Sequence, residues 1–229
     1  MRFTFKMKYG RMCRVINMRM RKKPNLIPRM EKCAHVLEET PESKKGSWLA
    51  EYPGHKVLWA ELGCGKGRFT LETAQQNPEA LICAVERVPD AMVIGMERVC
   101  EAEVTNVRFL RVDAVRLEEF FGEGELQRIY INFCDPWLPK RHHKRRLTAP
   151  SFLALYKKLL ASGGEIHFKT DNVDLYEWSL EQFTACGWEL REVTRDLHEN
   201  GPVGVMTDYE AKFYSQGVKI NRCVAVRPE

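Results

Sequence analysis

None of the eight cysteines, at positions 13, 33, 64, 83, 100, 134, 186 and 223, falls into a Cys-x-x-Cys pair. That removes the commonest zinc and dithiol motifs, and no bound metal is expected. Several cysteines sit inside apolar runs, as in Leu81-Ile82-Cys83-Ala84-Val85, where a thiol serves as a small hydrophobe in a reducing compartment. The expected location is therefore the cytoplasm. No uncharged apolar run reaches the roughly 18 residues of a spanning helix, so no membrane segment is expected. Internal repeats and low-complexity tracts are missing too. Residues 1–17 lack any acid while carrying Arg2, Lys6, Lys8, Arg11 and Arg14. Those five charges account for the whole net charge of +5, so overall basicity says nothing about nucleic acid. With no apolar h-region, this segment is a poor secretory signal, and it reads as a disordered or overextended leader with Met18 or Met20 as alternative starts.

What is present fits one domain. The 229 residues are 44% hydrophobic and 29% charged, a globular rather than disordered balance. Residues 18–56 hold Pro24, Pro28, Pro41 and Pro53 and read as an N-terminal extension with a helix near 30–39. From 57 to the end, short β-rich runs alternate with helical patterns. Strands are predicted at 57–61, 80–86, 107–112, 128–133, 164–169, 188–194 and 218–226. Helices are predicted at 69–76, from about 87 to 103, at 151–160, 173–186 and 209–214. This alternation implies an α/β, doubly wound, Rossmann-like sheet, mostly parallel with an antiparallel final strand. Ligands of such sheets bind outside the carboxyl ends of the strands.

Glu61-Leu-Gly63-Cys-Gly65-Lys-Gly67 follows the first strand and opens a helix. Glycines at 63 and 65 let backbone approach a ligand closely, but the spacing departs from the dinucleotide fingerprint. Glu61 beside the loop disfavours a pyrophosphate and favours a cation. S-adenosylmethionine, with a sulfonium, an ammonium and no phosphate, suits that charge pattern. Glu86 closes the second strand, where a carboxylate accepts ribose hydroxyls, and Asp113 follows the third, within reach of an adenine amino group. Each acid alone reads equally as a strand-end charge or a helix cap.

Ile131 to Leu147 reads I-N-F-C-D-P-W-L-P-K-R-H-H-K-R-R-L: a buried run, then Asp135-Pro136-Trp137, then seven consecutive basic or histidine residues. Charge runs are usually solvated loops. Five Lys/Arg without an acid at a crevice mouth also suit phosphates, with Arg141, Lys144, Arg145 and Arg146 as candidates. Trp137 either stacks on a base or packs under the loop. His142 and His143 have no acid or cysteine at metal spacing.

The loop E-L-G-C-G-K-G resembles that of class I S-adenosylmethionine-dependent methyltransferases. The run N-F-C-D-P-W-L-P-K-R-H-H-K-R-R-L resembles the signature of the tRNA (guanine-N7-)-methyltransferases, which modify the variable-loop guanine at tRNA position 46. Arg21-Lys-Lys-Pro24, Lys169-Thr-Asp171 and Thr207-Asp-Tyr-Glu210 extend the resemblance over about residues 19–226. It implies that Glu61, Glu86, Asp113 and Asp135 bind the cofactor, that Asp135 is also catalytic, and that Asp171 and the stretch with Thr207, Tyr209 and Glu210 bind the target nucleotide. The family carries a substrate-contacting lysine four residues after the aspartate, where this chain has Pro139; Lys140 is the nearest replacement.

Guanine N7 has a lone pair and no proton to lose, so the implied reaction needs alignment and charge stabilisation rather than a base on the nucleophile. A carboxylate at 135 suits the positive charge that develops on the ring. Two residue types are ambiguous by pattern. Thr207-x-x-Glu210 is also a capping box, and Asp171 also precedes a helix. Competing readings are an amino-group methyltransferase with a D-P-P-Y-like turn and a non-catalytic RNA-binding protein on a methyltransferase scaffold. The partner expected is tRNA, and the chain a monomer or homodimer.

Overall fold

The computed structural model describes residues 22–228. The leader expectation for residues 1–17 lies outside them. Seven strands form one sheet: β1 (Val57–Leu62), β2 (Ala80–Val85), β3 (Val107–Leu110), β4 (Leu126–Asn132), β5 (Leu160–Thr170), β6 (Glu189–Thr194) and β7 (Asn221–Val226). Their spatial order is β3-β2-β1-β4-β5-β7-β6. The first five pair in parallel, and β7 runs antiparallel between β5 and β6. The α/β, mainly parallel sheet with an antiparallel last strand is therefore as expected. The strand order reverses between β1 and β4, which puts the crevice at the carboxyl ends of the central strands.

The helices are α1 (Leu26–Lys32), α2 (Trp48–Glu51), α3 (Arg68–Gln76), α4 (Pro89–Glu101), α5 (Leu117–Phe120), α6 (Pro150–Leu159), α7 (Val173–Ala185) and α8 (Asp208–Ser215). Two hydrophobic clusters cover the sheet, one on each face. One gathers Trp48, Phe120, Phe121, Tyr156, Tyr176 and Phe183, the other Phe69, Met92, Met96, Phe109 and Tyr130. Burial on both faces explains why β2 reads Ala-Leu-Ile-Cys-Ala-Val without a polar residue.

Several boundaries differ from the predicted ones for visible reasons. β5 starts at Leu160, not 164, because Leu160 pairs with Leu126 before a register shift carries the strand past Gly163 and Gly164. β7 starts at Asn221, not 218. In place of one helix near 30–39, α1 ends at Lys32 and the chain continues as a 3-10 turn, Ala34–Val36. Glu38 then donates its amide to the carbonyl of Phe109 at 2.9 Å, covering the exposed edge of β3. Trp48, wholly buried, donates its indole N–H to the Phe120 carbonyl at 2.9 Å, so residues 22–56 are packed onto the sheet. No described helix is long and apolar enough to cross a membrane.

Candidate functional site

All four expected cofactor carboxylates and Asp171 lie at or just past strand carboxyl ends: Glu61 late in β1, Glu86 after β2, Asp113 after β3, Asp135 after β4 and Asp171 after β5. Glu61 is buried at 2% exposure. Thr70 donates to one of its oxygens at 2.5 Å and the Asn132 amide to the other at 3.2 Å. Burial raises its pKa from 4.5 to about 6, against the pull of these two donors. Asn132 is itself buried, and its Oδ1 has no donor. A buried carboxylate beside an orphaned acceptor is a site that an ammonium group fits. Glu86 accepts the Gly65 amide at 3.0 Å and the Val88 amide at 2.8 Å, tying the glycine loop to the start of α4. Gly63 and Gly65 both hold positive φ, 77° and 57°. Gly67 caps α3, and a Cβ there would stand 2.7 Å from Gly95 Cα, so the loop is fixed by close packing of α3 on α4. Asp113 caps the 3-10 turn Ala114–Arg116 by accepting the Val115 amide at 3.2 Å. The cap reading of Asp113 thus holds geometrically, and its second oxygen faces Arg87 at 3.5 Å. Thr70 and Asn132 went unrecognised in the sequence, where a threonine in a helix and an asparagine ending a strand carry no motif.

Beyond β4 the chain turns sharply. Phe133 and Trp137 both hold positive φ, 52° and 42°, and bracket the exposed Asp135. Phe133 packs against Phe213 of α8, with ring centroids 5.9 Å apart. The basic run folds as a 3-10 helix, Lys140–Arg145, with Pro139 as its N-cap. Proline suits that position, where an N–H would have no partner. Lys140, Arg141, Lys144 and Arg145 are exposed. Arg145 lies over Trp137 at 5.0 Å, and His142 approaches the same ring at 6.1 Å. Burial and the neighbouring cations of the run lower the His142 pKa.

Arg146 is the exception in the run. It is 2% exposed, donates Nε–H to the Pro136 carbonyl at 2.8 Å, and lies over Trp178 of α7 at 4.5 Å. Its expected phosphate contact does not fit that burial, because the guanidinium faces protein rather than solvent. Glu210 is likewise turned into the protein. It is fully buried, with one oxygen on Lys169 at 2.6 Å and the other on His198 at 3.0 Å. The capping box is formed as well, Thr207 accepting the Glu210 amide at 2.9 Å and Glu210 the Thr207 amide at 3.2 Å. Three donors thus reach its two oxygens, two on one and one on the other. Burial lowers the Lys169 pKa despite Glu210 beside it. Tyr209, next along the helix, is 54% exposed, and Asp208 pairs with Arg98 at 2.8 Å. The same Arg98 donates to the Lys66 carbonyl of the glycine loop at 3.0 Å.

Asp171 is not the N-cap of α7. Asn172 takes that role, accepting the Leu175 amide at 2.7 Å, which leaves the Asp171 side chain uncommitted and half-buried. Burial raises its pKa. Among the described residues no cluster of three or more His, Cys, Asp or Glu is arranged to hold a metal. A cavity of about 290 Å³ opens on the sheet face between α3 and residues 197–205, lined by Thr73, Arg128, Tyr130, His167 and Lys169 among others. None of the expected site residues lines it.

Comparison with known proteins shows the family. Residues 55–223 match a family described as putative methyltransferase. A tRNA (guanine-N(7)-)-methyltransferase of Exiguobacterium sp. is 43% identical over 93% of this chain and all of its own length. One of Geobacillus thermodenitrificans is 41% identical over 92% of this chain and 98% of that protein. Among solved structures, the 16S rRNA methyltransferase KamB superposes with a TM-score of 0.63 at 15% identity, covering 81% of this chain and 95% of that one. That last likeness concerns the fold alone.

Proposed function

We propose, from the premise that this chain belongs to the tRNA (guanine-N7-)-methyltransferase family, that its target is the variable-loop guanine at tRNA position 46. The chain is an enzyme that methylates guanine N7 in tRNA with S-adenosylmethionine as methyl donor. We assign it to the cytoplasm. Bound in the crevice, the cofactor supplies an electrophilic methyl on a sulfonium.

The residue roles follow from what each group has left to offer. Glu61 and the free Asn132 Oδ1 receive the cofactor's ammonium, since both are buried acceptors and neither faces a fixed cation within hydrogen-bond reach. Glu86 and Asp113 take the ribose hydroxyls and the adenine amino group, with Gly63 and Gly65 giving the backbone its close approach. Asp135 is the catalytic residue. Its carboxylate faces the guanine ring and stabilises the positive charge that arrives with the methyl group, a contribution of the order of 10²–10³-fold. No base is required, because N7 gives up no proton. Asp171, Thr207 and Tyr209 line the substrate side, and Lys140, Arg141, Lys144 and Arg145 meet phosphates. Lys140 stands in for the family lysine.

The buried Glu61 held only by neutral donors is the observation that carries this reading. An unpaired carboxylate in a wall of protein is costly unless a cation completes it. The test is methyl transfer from labelled cofactor to unmodified tRNA with mapping of the labelled base. Wild type labels one variable-loop guanine at N7. Label on an exocyclic amino group instead would establish the amino-methyltransferase alternative, and tRNA binding with no label and no cofactor binding would establish a bare RNA-binding scaffold.

A further inference from the structure

The loop that carries Asp135 is strained, and few side chains hydrogen-bond to it. Phe133 and Trp137 occupy left-handed backbone with bulky side chains, at about 1–3 kcal/mol each. Such conformations persist only where the surroundings impose them. Among the described residues, Arg146 is the only side chain that hydrogen-bonds to the backbone of residues 133–137. That bond goes to the Pro136 carbonyl, directly between Asp135 and Trp137.

Arg146 is equipped to hold that carbonyl. Its own amide bonds to the His143 carbonyl at 3.0 Å, and its carbonyl accepts the Ala149 amide at 2.9 Å, so its backbone is locked in the turn. Its guanidinium lies over the ring of Trp178 on α7 at 4.5 Å, and His143 meets the same ring edge-on at 5.4 Å. Two residues further on, Thr148 bonds Ser179 of the same helix at 2.7 Å. The anchor is therefore rigid at both ends: an aromatic platform on α7 and a charge-assisted bond to the loop.

We propose that Arg146 is a positioning residue for Asp135, clamping the Asp-Pro-Trp turn through the Pro136 carbonyl, and that it makes no contact with RNA phosphate. The exposed Arg145 beside it keeps the phosphate role, so adjacent arginines of one run divide the work. This rests on the methyl-transfer reading above.

Lysine separates the two roles, because Arg146→Lys keeps the charge but loses the planar stack and the fixed Nε–H. Clamping predicts that Arg146→Lys and Arg146→Ala each lower the single-turnover rate at saturating tRNA and cofactor by about 100-fold. The tRNA affinity and its salt slope stay at wild-type values. Added methylguanidinium restores part of the rate to Arg146→Ala, and Trp178→Leu reproduces part of the loss. Phosphate binding predicts the reverse: Arg146→Ala flattens the salt slope by about one, Arg146→Lys restores it, and the saturating rate does not move. That result overturns the proposal. Amide hydrogen exchange at residues 134, 135, 137 and 138 reads the clamp without any activity; it accelerates in Arg146→Lys, and unchanged protection there also overturns it. Should wild type label a base other than the variable-loop guanine, the target assignment fails while the Arg146 comparison is still read on that base.

Discussion

The two sides of the crevice hold their carboxylates by opposite means. On the β1–β3 side the donors are mostly neutral: a threonine hydroxyl and an asparagine amide on Glu61, backbone amides on Glu86 and Asp113, with Arg87 no closer than 3.5 Å. On the β5 and α8 side two carboxylates meet cations: Lys169 on Glu210, beside the His198 imidazole, and Arg98 on Asp208. A carboxylate held by neutral donors keeps its negative charge for a ligand, while one held by an ammonium has already used it. Motif position is equal in both regions, but chemical availability is not. This contrast is why Glu61 is the proposed ammonium site and Glu210 the weaker candidate for base recognition.

The largest test of the contrast is Glu210→Ala. It leaves the Lys169 ammonium, 7% exposed, without its acid, and should cost about 3–5 kcal/mol in urea unfolding. The double variant Lys169→Met, Glu210→Leu should recover most of that loss, since an apolar pair of similar volume replaces the ion pair. A Glu210→Ala protein of wild-type stability whose tRNA affinity alone collapsed would return this carboxylate to the substrate. Next comes Asp135→Asn, nearly isosteric and exposed, so stability should hold. The single-turnover rate should fall about 10²–10³-fold. A full wild-type rate would remove Asp135 from the chemistry.

Glu61 offers a pH test of the neutral-donor side. Its folded pKa, about 6, lies above the ordinary 4.5, so protonation favours the folded state. The stabilisation is complete below about pH 4.5 and is lost as pH rises through 6, a swing of about 2 kcal/mol. Cofactor binding has the opposite sign, because an ammonium ligand needs the ionised form. Affinity should weaken by about tenfold for each unit below 6, and Glu61→Gln should flatten that acid limb. Calorimetry that finds no pH dependence in wild type between 5 and 7 would break the assignment.

Sequence was informative wherever chemistry is repeated along the chain. The glycine loop and the acids at three successive strand ends were legible, because strand period and glycine geometry are local properties. Thr207-x-x-Glu210 likewise announced its cap. What stayed hidden depends on partners far away in the chain: Lys169 is 41 residues from Glu210, and Trp178 is 32 from Arg146, on a different helix. Nothing in a run of like charges marks which arginine turns inward. The helix at Leu117–Phe120 escaped notice because four residues are too few to show a helical period.

The smallest effect falls within the exposed part of that run. Arg145 is exposed and rests over Trp137, so its guanidinium is held at the crevice mouth, and among the described residues no carboxylate pairs with it. Lys140 is exposed as the first residue of the 3-10 helix, with no side-chain bond to fix it. A phosphate contact made by the held group should count more than one made by the loose group, because less side-chain entropy is lost on binding. Arg145→Ala should therefore lower the slope of log affinity against log salt by about 0.7–0.9, the value of one released counterion, and Lys140→Ala by less. Neither should alter cofactor affinity, since neither bonds Glu61, Glu86 or Asp113. If Lys140→Ala had the larger slope change, the lysine displaced by Pro139 would still be the principal contact, and the stacked arginine would belong with Arg146 as support for the loop.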